Sequence, residues 1–341
     1  MTKRNLAGNT ALVLGATGGI GGAVSRTLLA RGWQVRALTR DLQRARNNPD
    51  PTLVGIDWQR GDAMSRDDVV STAYGADLIV HAVNPPGYQR WAELVLPMLE
   101  HSIAAARSSG ARIVLPGTIY NFGAAAWDDL HESAEQHPTT RKGAIRVEME
   151  HRLKQAAEHG VRSLIVRAGD FFGPHAGNNW FSQGLIKPGK PLRSITYPGR
   201  TGIGHQWAYL PDVAETIMQL VERQDQLAPF ERFHMNGHWD TDGTQMVAAI
   251  RQAVGNARLP VRSFPWWILG PAAPFVPLFR EMKEMRYLWQ QAIRMRNARL
   301  LSVLGSEPHT PLAQAVQTTL RGLGCLPQDQ QTASPKQTAF E

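Results

Sequence analysis

Two sets of residues in this 341-residue chain have the types and spacing to do chemistry. The first is Gly15, Gly18 and Gly21, within Leu12-Val13-Leu14-Gly15-Ala16-Thr17-Gly18-Gly19-Ile20-Gly21-Gly22, directly after a short apolar run and directly before a helical pattern. In that position the first glycine turns tightly, the second lets the backbone approach a pyrophosphate, and the third lets helix and strand pack closely. The amides at the helix start then face phosphate oxygens, with the helix dipole behind them. Gly15, Thr17, Gly18, Gly19, Ile20 and Gly21 are therefore the expected dinucleotide cradle. A glycine trio alone means little; the strand before it and the helix after it carry the reading. The second set is Lys142, Arg146 and Glu150, at i, i+4 and i+8 on one face of a helical stretch. Its plain alternative is a solvated helix with ordinary side-chain pairs.

Positioning these residues takes alternating strands and helices, and the pattern supplies them. Apolar runs at 10–14, 34–38, 53–56, 78–82, 111–115 and 163–167 read as strands. Helical patterns at 23–31, 65–74, 91–108 and 141–159 lie between them, and three end at Gly32, Gly110 and Gly160. Such alternation implies an α/β Rossmann fold, a doubly wound parallel sheet with right-handed crossovers. From 173 to 204 Gly, Pro and Asn become dense and loops dominate. The expected organisation is a dinucleotide-binding domain at 1–175, a helix at 212–223 returning to it, a smaller C-terminal substrate lobe at 176–326, and a polar, disordered tail at 327–341.

The end of the second strand reads cofactor type. NAD binders place a carboxylate there for the ribose 2′-hydroxyl, about eighteen to twenty residues after the last glycine. That count falls on Thr39 and Arg40. Arg40 suits a 2′-phosphate, so NADP(H) is the expected cofactor. Arg36 either helps or points away. Asp41 keeps NAD open, because its carboxylate is also within reach of a ribose.

Composition narrows the class. Hydrophobic content of 43% and charged content of 19% fit a folded chain. The net charge of +8 admits anionic partners. Its densest basic stretch, 280–299, is interleaved with Glu281 and Glu284, however, and reads as a solvated helix face rather than a nucleic-acid stripe. One cysteine, Cys325, permits no internal disulfide. The N-terminal nine residues lack a signal-peptide core, and the longest apolar stretch, 264–279, is cut by four prolines. A soluble, cytoplasmic protein with no membrane span and a small-molecule substrate is expected. His131, His137, His151 and His159 lack convergent ligand spacing, so no metal site is expected. Trp266, Trp267, Phe275, Phe279, Met282, Met285, Tyr287 and Trp289 concentrate in the second lobe, as core packing or as an apolar pocket lining.

With these motifs the chain resembles a short-chain dehydrogenase/reductase of the extended or atypical type. The resemblance spans about residues 8–255. It rests on the glycine spacing, Gly61-Asp62, His81-Ala82-Val83, Ile119-Tyr120, Arg167-Ala168-Gly169 with Gly173-Pro174, and Tyr209-Leu210-Pro211-Asp212-Val213-Ala214. It implies that Asp62 holds the adenine amine, that His81, Ala82 and Val83 line the cofactor, and that Arg167 lies beside the nicotinamide. It also implies dimerisation through the helices of 91–108 and 141–159. The departures fall on the catalytic set. Pro116 stands at the position of the family's serine, with Thr118 displaced by two residues, and Lys142 and Arg146 stand at the Tyr and Lys of Tyr-x-x-x-Lys. A lysine at the tyrosine position resembles the isoflavone-reductase-like branch. It implies Lys142 as proton donor and Arg146 over the nicotinamide ribose. A second cation and a cofactor nearby lower a lysine's proton affinity. Tyr120 is the nearest alternative donor; its bland role is a packed ring donating to a carbonyl. In similar sugar-nucleotide epimerases an arginine occupies the position of His205 and grips a phosphate. Three functions follow. One is an NADP(H)-dependent oxidoreductase acting on a small, fairly apolar carbonyl or alkene. A second is a sugar-nucleotide epimerase or dehydratase. The third is a non-catalytic NADP(H)-binding regulator similar to nitrogen-metabolite-repression proteins.

Overall fold

The structure, a computed structural model, describes residues 8–47, 50–85, 90–267 and 277–327. Six strands in the first half are β1 (Thr10–Leu14), β2 (Gln34–Thr39), β3 (Ile56–Arg60), β4 (Leu78–His81), β5 (Arg112–Gly117) and β6 (Ser163–Arg167). Then come β7 (Asp170–Phe172), β8 (Ile195–Tyr197), β9 (His205–Tyr209), β10 (Phe230–His234), β11 (His238–Asp240) and β12 (Val261–Ser263). The main sheet runs β3-β2-β1-β4-β5-β6-β10 with every pair parallel. The chain leaves β1 toward β3 and returns through β4, so the strand order reverses between β1 and β4. At such a reversal a crevice opens beyond the carboxyl ends of the strands.

The strand code is simple because both faces are covered. All five residues of β1 are buried. The first six α-helices are α1 (Gly19–Ala30), α2 (Leu42–Arg46), α3 (Arg66–Thr72), α4 (Trp91–Ser109), α5 (Arg141–Glu158) and α6 (Leu210–Val221). Ala11 and Val13 pack with α1 and α6, while Leu12 and Leu14 pack on the other face with α4 and α5. The period of two thus splits one strand between two apolar layers. The third strand differs from its expected place at 53–56. Pro51–Leu53 is a 3-10 turn capped by the Asp50 carboxylate, which accepts from the Thr52 amide at 3.0 Å. The strand proper starts at Ile56 and alternates, with Ile56 and Trp58 buried and Asp57 exposed, as an edge strand does.

The remaining chain forms smaller sheets, β11-β9-β7 and β12-β8, around a separate apolar cluster that includes Phe172, Trp207, Trp289 and Met246. The segment Ala298–Leu304 then returns, placing Leu300 in the same cluster as α1 and α6. Residues 268–276 of the apolar stretch, and the tail after Pro327, lie outside the described residues. No helix among the described residues is long and apolar enough to cross a membrane.

Candidate active site

The glycine loop is built as its spacing requires. Gly15 has φ +89°, and a Cβ there would lie 2.6 Å from the Ala82 carbonyl oxygen. A Cβ on Gly21 would overlap the Gly15 carbonyl oxygen. Gly18 is the N-cap of α1, its amide donating to the Gly15 carbonyl at 2.9 Å, and no side chain caps the helix. The amides of the first turn, at Gly19, Ile20 and Gly21, therefore have neither side chain nor preceding turn to answer them, which is what an anion needs. Thr17 and Gly18 are exposed at the rim, and Ala176 and Leu210 wall the helix start beside Gly19. The glycines at 15 and 21 let backbone pack on backbone, and the uncapped start of α1 they position is where a pyrophosphate would lie.

The flanking residues divide by what their side chains do. Ala82 and Val83 are half-buried and pass beside Gly15. His81 turns inward: its Nδ1 meets Ser102 Oγ at 2.8 Å. Burial, with Arg146 nearby, pushes its pKa down to about 3, so its ring is a neutral wall. Asp62 Oδ1 accepts from the Met64 amide at 2.9 Å, at the loop that follows β3. At the end of β2, Thr39 is in register with Arg60, and Arg40, Arg44 and Arg60 are all exposed. Arg36 points away, donating to the Tyr74 carbonyl at 2.6 Å. Asp41 caps the short helix Leu42–Arg46, its Oδ1 accepting from the Arg44 amide at 3.0 Å. Arg60 went unread in the sequence because the misplaced third strand hid its register with Thr39.

The face of Lys142, Arg146 and Glu150 is not solvated. Lys142 and Glu150 are buried and Arg146 is half-buried. Thr140 caps α5 by accepting from the Gly143 amide at 3.0 Å, and a Cβ on Gly143 would overlap the Tyr120 carbonyl oxygen. The helix start is thereby pressed onto the loop that leaves β5, next to half-buried Tyr120. Arg146 donates to the Pro116 carbonyl at 3.3 Å and lies over the Trp91 ring at 5.4 Å, above the ends of β4 and β5. Pro116, lacking a hydroxyl, contributes only that carbonyl.

Arg167 serves the interior rather than the crevice. It is fully buried and forms a two-pronged ion pair with Glu150, its Nε donating to Oε1 at 2.9 Å. Its Nη1 donates to His234 Nε2 at 2.8 Å, and its guanidinium lies 4.9 Å from the Phe122 ring centre. Burial and Arg167 hold His234 well below the ordinary histidine range. Glu150 also accepts from Asn121 and Gln136, each at 2.9 Å. Arg167 thus belongs to a buried network beneath the α5 face.

Further polar residues of the chain meet one another beyond the strand ends. Asp170, at the start of β7, meets His205 Nε2 at 2.9 Å. His205 Nδ1 lies 3.2 Å from the Leu288 carbonyl, and its ring stacks on Trp289 at 3.9 Å with an 8° tilt. His205 is thus fixed inside the lobe. Glu284 reaches back to accept from the Lys142 amide at 3.2 Å. No spacing rule joins positions this far apart; only the fold does.

Together, the uncapped helix behind the glycine loop, the switch-point crevice and the buried α5 face define a nicotinamide-dinucleotide-dependent protein of the extended short-chain dehydrogenase/reductase type. A family model described as "NAD dependent epimerase/dehydratase family" matches residues 11–235, and the chain belongs to that family. It is similar to the 3-diazoavenalumate denitrifying reductase of a Streptomyces species, with 30% identity over 182 residues, 49% of this chain and 57% of that protein. The chain thus matches little more than half the length of this curated relative. Among solved structures, MoeE5 in complex with UDP-glucose and NAD superposes with a TM-score of 0.70 at 16% identity, over 92% of this chain and 98% of that one. The dTDP-glucose 4,6-dehydratase DesIV of Streptomyces venezuelae, with NAD and TYD bound, gives 0.69 at 18%, over 92% and 96%. At such identities these structures establish the fold.

Proposed function

We propose that this chain is an NADP(H)-dependent reductase of small, fairly apolar carbonyl or alkene substrates. The observation that carries the reading is Lys142: a lysine stands where the family has its tyrosine, and it is buried at the start of α5 rather than solvated. NADPH, when bound, supplies the hydride. The chain's residues then do the rest. The amides of 18–21 hold the pyrophosphate, Arg40 with Arg44 and Arg60 faces the 2′-phosphate, and Arg146 is held above the strand ends by Pro116 and Trp91. Lys142 donates a proton to the substrate as the hydride arrives. Support comes also from the similarity to the Streptomyces denitrifying reductase.

An epimerase or dehydratase acting on a nucleotide sugar is the second reading, favoured by solved structures that hold UDP-glucose or NAD with TYD. Pro116 and Lys142 in place of a hydroxyl pair weigh against it, as does His205, which is already held by Asp170 and Leu288. Calorimetry with NADPH and NADH, followed by NADPH oxidation with a panel of aldehydes, ketones and enones, tests the first reading. Lys142→Ala is expected to lower turnover by roughly 10²–10⁴-fold, the range of general acid catalysis, with NADPH affinity intact. Unchanged turnover removes Lys142 from the mechanism. Binding of NADPH with no turnover of any carbonyl points instead to a regulator.

A further inference from the structure

Charge is distributed unevenly along the chain. Residues 171–211 and 243–280 each hold four Lys or Arg and no Asp or Glu, so the two together match the whole net charge of +8. The fold lays parts of these stretches side by side. β12 pairs with β8 in parallel, Val261 opposite Ile195 and Ser263 opposite Tyr197. The contact extends past both strand ends. The Ile195 amide donates to the Pro260 carbonyl at 2.8 Å, the Phe264 amide to the Tyr197 carbonyl at 3.0 Å, and the Trp266 indole N–H to the Pro198 carbonyl at 2.8 Å. Among the described strands β12 has no other partner, and all three of its residues are exposed.

The exposed side chains on these two segments are of two kinds. Lys187, Lys190, Arg193, Arg258 and Arg262 are cations, and none forms an ion pair or a side-chain hydrogen bond with a described residue. Exposed arginines elsewhere are answered, Arg296 by Asp129 and Arg90 by Glu93. Arg200 stands apart, because Asp242 reaches its loop, the Asp242 carbonyl accepting from the Gly202 amide at 2.8 Å. The second kind is apolar: Val261 is 42% exposed and Trp267 79%. Cations on an open edge keep foreign strands from pairing with it. An indole held in water does the opposite, so edge protection alone leaves Trp267 unexplained.

We propose that this face, Lys187, Lys190, Arg193, Arg258 and Arg262 with Trp267, is a docking surface for a lipid bilayer that carries anionic headgroups. The proposal is independent of the reductase reading, and its test needs no turnover. A bilayer surface answers both kinds of side chain: the headgroup charges take the cations, and the interfacial layer takes an indole. A nucleic-acid strand needs rings spaced among the cations to stack successive bases. Here the one exposed indole stands at one end, beyond β12. In sequence, Trp267 is followed by no charged residue before Arg280, which suits an acyl boundary rather than a polyanion. The attachment is peripheral, resting on side chains at the surface.

Co-sedimentation of the full chain with vesicles of one part phosphatidylglycerol to two parts phosphatidylcholine, against phosphatidylcholine alone, reads the contact. The anionic vesicles are expected to bind roughly tenfold or more tightly. That preference is expected to fade as salt rises from about 0.1 M to about 1 M, which shortens the screening length from about 10 Å to about 3 Å. Arg193→Gln combined with Arg262→Gln is expected to weaken binding by about 25-fold, at roughly fivefold per cation. Trp267→Ala is expected to weaken it by roughly tenfold, the low end of what burying a large apolar side chain supplies. Both variants are expected to melt with the wild type, since the side chains removed are exposed. Equal binding to the two vesicles, binding to neither, or wild-type sedimentation of either variant overturns the proposal. A single-stranded oligonucleotide that binds more tightly than the anionic vesicles, and is lost in the double variant, overturns it in favour of nucleic acid.

Discussion

The proposed cofactor end and the proposed substrate end of this crevice are built on opposite plans. The cofactor end is local: seven consecutive positions, 15–21, form a turn whose function lies in backbone amides and in the absence of side chains. The substrate end is distributed: Lys142, Asp170, His205 and Glu284 through Trp289 come from four stretches of chain and meet only through folding. A local site is fixed by steric rules that hold wherever the motif occurs. A distributed site is fixed by packing, so its chemistry varies while the fold persists.

Breaking the local plan has the largest expected effect. Gly21→Val drives a side chain into the Gly15 carbonyl. NADPH affinity is expected to fall on the order of 100-fold or more, because a displaced turn loses several amide–phosphate bonds at ~1.5–3 kcal/mol each. Calorimetry reads it, and retained affinity would mean that the phosphates sit elsewhere. The distributed plan breaks differently. Glu150→Ala leaves Arg167 buried without its counter-charge and strips Asn121 and Gln136 of their acceptor. Urea unfolding is expected to show a loss of about 3–5 kcal/mol, the usual result of halving a buried pair. Glu150→Gln is expected to lose less, since it keeps an acceptor. If Glu150→Ala unfolds no more easily than wild type, the network is not what holds α5 in place.

The same contrast explains what the sequence disclosed. Strands buried on both faces spell continuous apolar runs, and the glycines between them punctuate, so β1, β4, β5 and β6 were legible. The edge strand β3 was misplaced because Ile56 and Trp58 alternate with polar residues, and the apolar Leu53 belongs to the turn before them. The buried face of Lys142, Arg146 and Glu150 was readable as a face, but not which way it turned. Arg167 shows the limit most clearly: in a strand with both faces buried, the sequence does not name a side chain's partner, and here it is Glu150. The contacts of Asp170 and of the segment Arg286–Trp289 were beyond reach, since strands of three residues and a four-residue 3-10 turn carry no period.

Cofactor choice sharpens the comparison on a smaller scale. With Asp41 spent on a helix cap and Arg36 turned to Tyr74, Arg40 is the first exposed cation in sequence beyond β2, and it is the residue proposed to face a 2′-phosphate. Arg40→Ala is expected to weaken NADPH by about 10- to 100-fold, one charge-assisted contact at ~1.5–3 kcal/mol. NADH binding is expected to stay unchanged. Equal effects on both nucleotides would assign Arg40 to the shared part of the cofactor, and a wild-type preference for NADH would return the choice to Asp41.

His81 provides the finest test, because it lies at the cofactor end yet its ring faces Ser102 rather than the crevice. If that end works through backbone, His81→Asn should leave NADPH affinity within about twofold, an energy below RT. Its effect belongs instead to stability against pH. Folded His81 accepts a proton only near pH 3, whereas in the unfolded chain it titrates near the ordinary histidine value. Between those limits the unfolded state holds more protons, so the contribution is full above about pH 6.5 and declines as pH falls toward 3. Removing the imidazole should flatten the stability–pH curve in that window by at most about 1.4 kcal/mol per pH unit, one proton's worth. Urea midpoints at several pH values measure the slope. An unchanged slope would show that the ring is protonated alike in both states. Loss of NADPH binding in the same variant would show that the cofactor end depends on a side chain after all, and the division between a backbone-built end and a packing-built end would fail at this residue first.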